Sequence, residues 1–184
     1  MGRLVAILLA LTSVLGVSCA RADQDDGRLV ILFGELKRTA DAAAAEKLTE
    51  QIWNIWHETE DDEARELLAR GIAAMVQESY DDALLAFDGL VRLKPDFAEG
   101  WNKRATVYYL VGDYDASARD VQRTLALEPR HFGALSGLGL INMALGRDGE
   151  ALSAFEAALA VNPYLPGPRQ HVRELKERLE GKGI

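Results

Sequence analysis

Three prolines divide most of this chain at a fixed interval. Pro95, Pro129 and Pro163 are 34 residues apart, and a similar leader precedes each of them: LVRLKP, TLALEP and ALAVNP. A period of this length is the signature of a protein built by stacking one supersecondary unit several times. Four further sets of residues keep the same interval: Leu67, Trp101 and Leu135; Gly71, Ala105 and Gly139; Ala83, Ser117 and Ala151; and Phe87, Val121 and Phe155.

The residue types at these positions predict a helical hairpin as the repeated unit. Small residues at Gly71, Ala105 and Gly139 are expected where the second helix of each hairpin crosses the first. The segments GDYD and GRDG contain Gly and Asp, which favour a tight turn between the two helices. Proline ends each unit because it cannot continue a helix. One such unit cannot bury its apolar face alone, whereas three stacked units can.

The pattern resembles the tetratricopeptide repeat: Trp or Leu, a small residue four positions on, Tyr three further, then Ala, Phe and a closing Pro. The resemblance covers residues 64–163, and the second unit matches through Trp101, Ala105, Tyr108 and Pro129. It implies an all-α fold, a right-handed superhelical solenoid of antiparallel helix hairpins. The three repeats are predicted at residues 64–97, 98–131 and 132–165.

Both flanks of the repeats are also predicted to be helical. Residues 28–58 are interpreted as two helices separated near Thr39, forming a degenerate hairpin that caps the first repeat. Residues 166–181 predict a C-terminal capping helix, because a terminal unit needs one polar face. The second N-terminal helix has an apolar face at helical spacing, formed by Ile52, Trp53, Ile55 and Trp56.

The N-terminus predicts export. Arg3 is followed by an uncharged segment, residues 4–20, and then by small residues at Ala20 and Ala22, the order typical of a cleaved signal peptide spanning residues 1–22. A periplasmic location is expected, with residues 23–27 forming a disordered leader. Two alternatives stay open: an uncleaved membrane anchor, or lipid attached to Cys19, although Leu15 lies one position too early for the usual lipoprotein signal.

Charge and motif content argue against several function classes. Cleavage after residue 22 would leave 19 basic against 29 acidic residues, a net charge of −10. That balance disfavours nucleic acid or anionic lipid as the main partner, and direct lipid binding is expected only if the N-terminal segment is retained or lipidated. Cleavage also removes the only cysteine.

No catalytic or metal-binding motif is recognisable. The sequence has no glycine-rich phosphate loop, no G-x-S-x-G and no H-E-x-x-H. His57, His131 and His171 belong to separate predicted elements, without metal-ligand spacing. We therefore predict no enzyme activity, no cofactor and no metal. Arg104 and Asp120 are expected to form a structural salt bridge across the second hairpin.

The resemblance implies a concave groove, lined by the first helix of each repeat, that holds a peptide. Its two methionines can adapt to irregular ligands, and its largely apolar composition suits an apolar peptide or a partner helix. The predicted groove residues are Leu68, Ile72 and Met75 from the first repeat, Asn102, Lys103, Thr106 and Tyr109 from the second, and Ser136, Leu140 and Met143 from the third.

Some relatives bind a C-terminal carboxylate with a clamp of Lys, Asn and Arg residues. Here only Asn102 and Lys103 resemble such a clamp, and Gly133, Ser136 and Gly137 leave the third repeat without matching bases. A carboxylate-binding function of the chaperone type is therefore not expected.

Two functions follow from these observations. The first is a non-catalytic periplasmic protein–protein interaction module, an adaptor or assembly factor of the bacterial cell envelope that binds a peptide or partner helix in its groove. The alternative is a structural or self-oligomerising repeat protein whose groove is filled by its own N-terminal helices or by a second copy. The apolar segments ILF (31–33) and IWNIW (52–56) discriminate between them, because their presence in the groove would weaken the adaptor interpretation.

Overall fold

The computed structural model describes residues 26–181, and within this range the chain forms α-helices and no strand. The prediction of an all-α helical-hairpin fold is therefore confirmed. The predicted signal peptide, Cys19 and residues 23–25 of the predicted leader lie outside the described residues. The helices are α1 Gly27–Arg38, α2 Ala42–His57, α3 Asp62–Val76, α4 Tyr80–Leu93, α5 Ala98–Leu110, α6 Tyr114–Leu127, α7 Phe132–Ala144, α8 Asp148–Val161 and α9 Pro166–Gly181.

Helix ends follow from local side-chain chemistry. The carboxylates of Asp26, Asp41, Asp61 and Asp113 accept a backbone N–H two or three residues ahead and so cap α1, α2, α3 and α6. Asp26 places the start of α1 one residue before the predicted segment. Within the described residues, no helix has the length and apolar character needed to cross a membrane.

The turn inside each repeat hairpin has the same geometry. In all three, the first helix ends with two backbone hydrogen bonds of the Schellman type. The second residue after the helix has a positive φ, which is 82° at Gly112 and 71° at Gly146. The first repeat places Glu78 at the equivalent position with a φ of 56°, a conformation that a side chain disfavours.

Within each hairpin, a small residue on the first helix faces a larger one on the second. A Cβ atom added to Gly139 would lie 2.6 Å from the ring of Phe155, and Gly71 faces Phe87 in the same way. The second repeat replaces the Gly–Phe pair with Ala105 and Val121, which belong to one core cluster. The first and third repeats thus pair a glycine with a large ring, whereas the second pairs two side chains of intermediate size. Both combinations fill the space between the two helices while letting their backbones approach closely.

Successive repeat hairpins stack through α4 on α5 and α6 on α7, and α9 packs on α8 at the end of the third repeat. We call α3–α8 the repeat stack. The predicted salt bridge in its second hairpin is confirmed: Arg104 Nε donates to Asp120 Oδ2 at 2.7 Å and Nη2 to Oδ1 at 2.9 Å. Arg104 Nη1 also donates to Asp88 of α4 at 2.7 Å, so this side chain joins two hairpins.

The helices α1 and α2, which we call the N-terminal hairpin, do not continue the stack. Outside the hairpin, α2 packs mainly against α5, Phe132 at the start of α7 and the segment between α8 and α9, rather than against α3. The interpretation of this hairpin as a cap on the first repeat is therefore wrong. The apolar face of α2 reaches the first helices of the second and third repeats instead.

Candidate protein-interaction groove

The N-terminal hairpin occupies a depression in the repeat stack, which we call the central groove and define by Glu99, Lys103, His131, Phe132 and Gly133. These residues come from the first two turns of α5, the first turn of α7 and the residue before α7. Both helices are first helices of their repeats, the helices expected to line the concave face. Lys103 is the residue that this set shares with the predicted peptide groove, and α2 packs against the set.

Two tryptophans of α2 make the apolar contacts. The ring of Trp56 stacks on His131 with centroids 4.1 Å apart, and only 1% of Trp56 is exposed. Trp53 meets Phe132 edge to face at 5.3 Å. A Cβ atom at Gly133 would lie 2.5 Å from the Trp53 ring, so only glycine leaves the space that this ring needs.

Glu99 is the polar centre of the groove. Its Oε2 accepts hydrogen bonds from Asn102 Nδ2 and His131 Nε2, both at 2.9 Å. Its Oε1 forms ion pairs with Lys103 Nζ at 3.1 Å and with His57 Nε2 at 3.2 Å. One buried carboxylate thus joins α5, the start of α7 and the end of α2.

The environment keeps Glu99 ionised. Burial alone would raise the pKa of this carboxyl, but the contacts with His131 and His57 and the charge of Lys103 outweigh burial. The pKa of Glu99 consequently lies far below its usual range. A buried anion of this kind is stable only while its donors and cations stay in place.

The two histidines of this site, His131 and His57, differ in protonation. His131 Nδ1 accepts the backbone N–H of Ala134 at 3.1 Å, so its proton is on Nε2 and is donated to Glu99. Both ring nitrogens of His57 face acceptors, because Nδ1 lies 2.6 Å from the carbonyl oxygen of Trp53 and Nε2 faces Glu99. Satisfying both requires the imidazolium form. The bond to Glu99 correspondingly raises the pKa of His57 above its ordinary value.

A second contact zone holds the other end of the hairpin. Tyr164 donates its hydroxyl to the carbonyl oxygen of Thr39 at 2.7 Å, and Asn162 Nδ2 donates to Thr49 Oγ1 at 2.9 Å. The guanidinium of Arg130 lies 4.6 Å from the ring centroid of Phe33, a cation–π contact. The hairpin therefore spans from α5 to the connection between α8 and α9.

The structure places the predicted polar groove residues in and around the central groove. Asn102 and Lys103 lie in its centre, but both already contact Glu99, and the Lys103 ammonium also lies 5.6 Å from the Trp53 ring centroid. Thr106 and Ser136 donate their hydroxyls to backbone carbonyls within their own helices.

The predicted apolar groove residues pack mostly inward. Leu68 is 4% exposed and belongs to the core of the first repeat, against which Ile72 and Met75 also pack. Tyr109 packs against the core cluster of α5, α6 and α7. Leu140 and Met143 pack against the cluster that α8 forms with α9.

Sequence reasoning did not single out Glu99 or His131. One signal was available, because Glu99 precedes Asn102, Lys103 and Thr106 by three, four and seven residues and so shares their helix face. No signal placed His57 beside Glu99, since the hairpin docks outside the 34-residue frame. Among residues 26–181, no group of three His, Cys, Asp or Glu side chains is arranged to hold a metal ion.

The fold and the groove define a helical-repeat protein of the protein-interaction type. A tetratricopeptide-repeat family model matches residues 68–110 and 102–166. A TPR repeat-containing protein of Rhizobium etli is 37% identical over 155 residues, covering 84% of this chain and 76% of the relative. This chain belongs to the tetratricopeptide-repeat family.

Solved structures share the fold at lower identity. The TPR domain of Sgt2 from Aspergillus fumigatus superimposes with a TM-score of 0.64 at 22% identity, covering 67% of this chain and 83% of that one. The first TPR domain of Spaghetti (RPAP3), bound to the HSP90 peptide SRMEEVD, gives 0.63 at 21% identity, covering 66% and 97%. The MamA protein gives 0.59 at 20% identity and covers 85% of this chain and 81% of its own.

Proposed function

We propose that this protein is a non-catalytic interaction module whose central groove exchanges its own N-terminal hairpin for a segment of a partner protein. The insertion of Trp53, Trp56 and His57 between the first helices of two repeats weakens the interpretation of a permanently open adaptor groove, and it is the observation that carries the proposal of exchange. A groove that accepts one amphipathic helix has the shape and chemistry to accept another. The Spaghetti domain with its HSP90 peptide is a relative in fold that holds a peptide.

The way the hairpin is attached favours exchange. The first repeat has a core cluster of its own, and the α8–α9 pair has another, neither of which includes a residue of α1 or α2. From the repeat stack, Phe132 belongs to the hairpin's buried cluster and Val161 at the end of α8 packs against it. Undocking therefore exposes one apolar patch while leaving the cores of the repeats packed, as expected for a locally opening unit.

A pulldown with an opened hairpin tests this function. Trp53→Ala removes the ring that contacts Phe132 and Gly133, so the full chain carrying it should capture several-fold more partner from the host envelope than the unaltered chain. Glu50→Ala, on the exposed side of α2, is the matched control and should behave as the unaltered chain. Equal capture by all three proteins would refute exchange at the groove.

We further propose that the module works in the periplasm of a bacterial envelope, as an adaptor or assembly factor. Arg3, the uncharged segment 4–20 and the Ala20–Ala22 exit support export. Mass spectrometry of the exported protein should find an N-terminus at Asp23. A product that keeps residues 1–22, or that carries lipid on Cys19, would contradict a soluble periplasmic form.

A further inference from the structure

We infer that the central groove selects a partner helix that carries two aromatic side chains one turn apart and a cationic residue directly after the second. This inference rests on the proposed function and specifies its partner class. The hairpin provides the template, since Trp53, Trp56 and His57 follow one another at i, i+3 and i+4 and lie on one helix face.

The charge of the groove requires a cation from its occupant. Glu99 is 1% exposed and ionised, and His57 is the one cationic contact that the N-terminal hairpin contributes to it. When α2 leaves, Oε1 keeps Lys103 but loses that second cation. A partner that brings a cation restores the pair, whereas a partner that brings a carboxylate places two anions at one site.

A carboxylate clamp needs a lysine that is free to bind the ligand's carboxylate, and Lys103 is already paired with Glu99. Lys103 is committed to Glu99, and Asn102 donates to the same carboxylate. An anionic peptide that binds Lys103 must compete with Glu99 for it, and Glu99 Oε1 would then lose the ammonium that pairs with it. The groove therefore opposes the acidic peptide class represented by SRMEEVD, the ligand of the Spaghetti domain.

The shape of the groove requires aromatic rings. Gly133 leaves a space that one ring fills, and His131 offers a flat face on which a second ring stacks. An aliphatic side chain would bury less area and would lose the edge-to-face contact with Phe132 and the stacked contact with His131. Charge and shape thus specify the same occupant.

Peptide binding to the full chain tests the inference. The receptor carries Trp53→Ala and Trp56→Ala, which empties the groove, and a second receptor carrying His57→Glu empties it by charge alone. Fluorescence anisotropy compares a labelled peptide of residues 41–58 with the same peptide carrying His57→Glu, with one carrying both Trp→Ala changes, and with SRMEEVD. Circular dichroism first establishes that each receptor keeps its helix content.

The unaltered peptide should bind about tenfold more tightly than the His57→Glu peptide and than SRMEEVD, and the Trp-free peptide should not bind measurably. Adding Glu99→Gln to the receptor should abolish the preference for the unaltered peptide over the His57→Glu peptide. Equal or tighter binding of SRMEEVD, or of the Trp-free peptide, would overturn the inference.

These outcomes separate the inference from the proposed function. If the envelope pulldown captures a partner through the groove while SRMEEVD binds best, the partner class is wrong and the function stands. If the peptides discriminate as expected but no variant captures a partner, the selectivity of the groove stands and the exchange function fails.

Discussion

The repeat stack and the N-terminal hairpin are both helical hairpins, yet different contacts hold them in place. Inside the stack, the positions of one packing contact recur every 34 residues, as Gly71 with Phe87, Ala105 with Val121 and Gly139 with Phe155. The N-terminal hairpin repeats nothing of this. It is attached through two tryptophans, one ion pair to Glu99 and a few hydrogen bonds near Tyr164.

This difference explains how a stable repeat stack and an exchangeable N-terminal hairpin can coexist in one small protein. Contacts that recur along a solenoid couple each unit to its neighbours, so the units stabilise one another. A contact made once can be lost without disturbing that coupling. We therefore expect substitutions in the stack to lower the stability of the whole chain and substitutions in the hairpin contact to open the hairpin alone.

Trp56→Ala should have the largest effect, and a local one. Removing a fully buried indole costs about 3–5 kcal/mol, and here that cost falls on hairpin docking because Trp56 contacts His131 and Phe132. Amide hydrogen exchange should show lost protection in α1 and α2 and unchanged protection in α3–α8. Gln51→Ala, on the exposed side of α2, is the control. Loss of protection throughout the stack would contradict separate opening.

Gly139→Leu should destabilise the whole stack, by about 3 kcal/mol. Even a Cβ atom there would lie 2.6 Å from the Phe155 ring, and leucine adds three further carbons. Urea unfolding followed by circular dichroism measures the effect. Gly149→Ala is the matched control, because a Cβ atom at Gly149 meets no atom within 4 Å. Equal midpoints for the two variants would show that the small residue has no role in hairpin packing.

The hairpin contact should weaken as pH rises. The bond to Glu99 raises the pKa of His57 above 6.5, so docking gains stability from the charged form below about pH 6.5. That contribution is lost as pH increases through the raised pKa. Hydrogen exchange of α2, corrected for its intrinsic pH dependence, should show this loss. His57→Gln should remove it, and His171→Gln, remote from the hairpin, should retain it. A pH response that His57→Gln leaves unchanged would mean that a group other than His57 titrates.

Glu78→Gly should have the smallest effect, a gain of about 0.5–1 kcal/mol in the stability of the stack. Glu78 has a positive φ where the other two repeats use Gly112 and Gly146. The reverse change, Gly112→Ala, should cost a similar amount. Both are measured by urea unfolding, and a loss of stability in Glu78→Gly would mean that its side chain makes a contact worth more than the strain.

The sequence predicted what the period determines and missed what it does not. The repeat frame located the small residues at 71, 105 and 139 and the salt bridge from Arg104 to Asp120, because each has a fixed place within a repeated unit. Docking of α2 depends on a contact between residues far apart in sequence. Nothing in the spacing of Trp53 or His57 indicates Glu99 as their partner, since several apolar surfaces could bury the same helix face.

The candidate groove shows the same division. The family frame predicted Asn102 and Lys103 as groove residues, and that assignment stays a prediction, whereas the contact of both side chains with Glu99 is a feature of their shared helix face that the frame did not indicate. Leu68, Ile72 and Met75 were predicted from position alone, and position does not reveal how deeply a side chain packs. Their role as ligand contacts remains a prediction.

The contacts between Thr39 and Tyr164 and between Thr49 and Asn162 join residues separated by 125 and 113 positions. A ribosome synthesises α2 long before the residues that cover it exist. Trp53 and Trp56 therefore leave the ribosome before His131 and Phe132, the residues of the stack that cover them, have been made. During that interval the face of α2 that docks on the stack is available to other proteins.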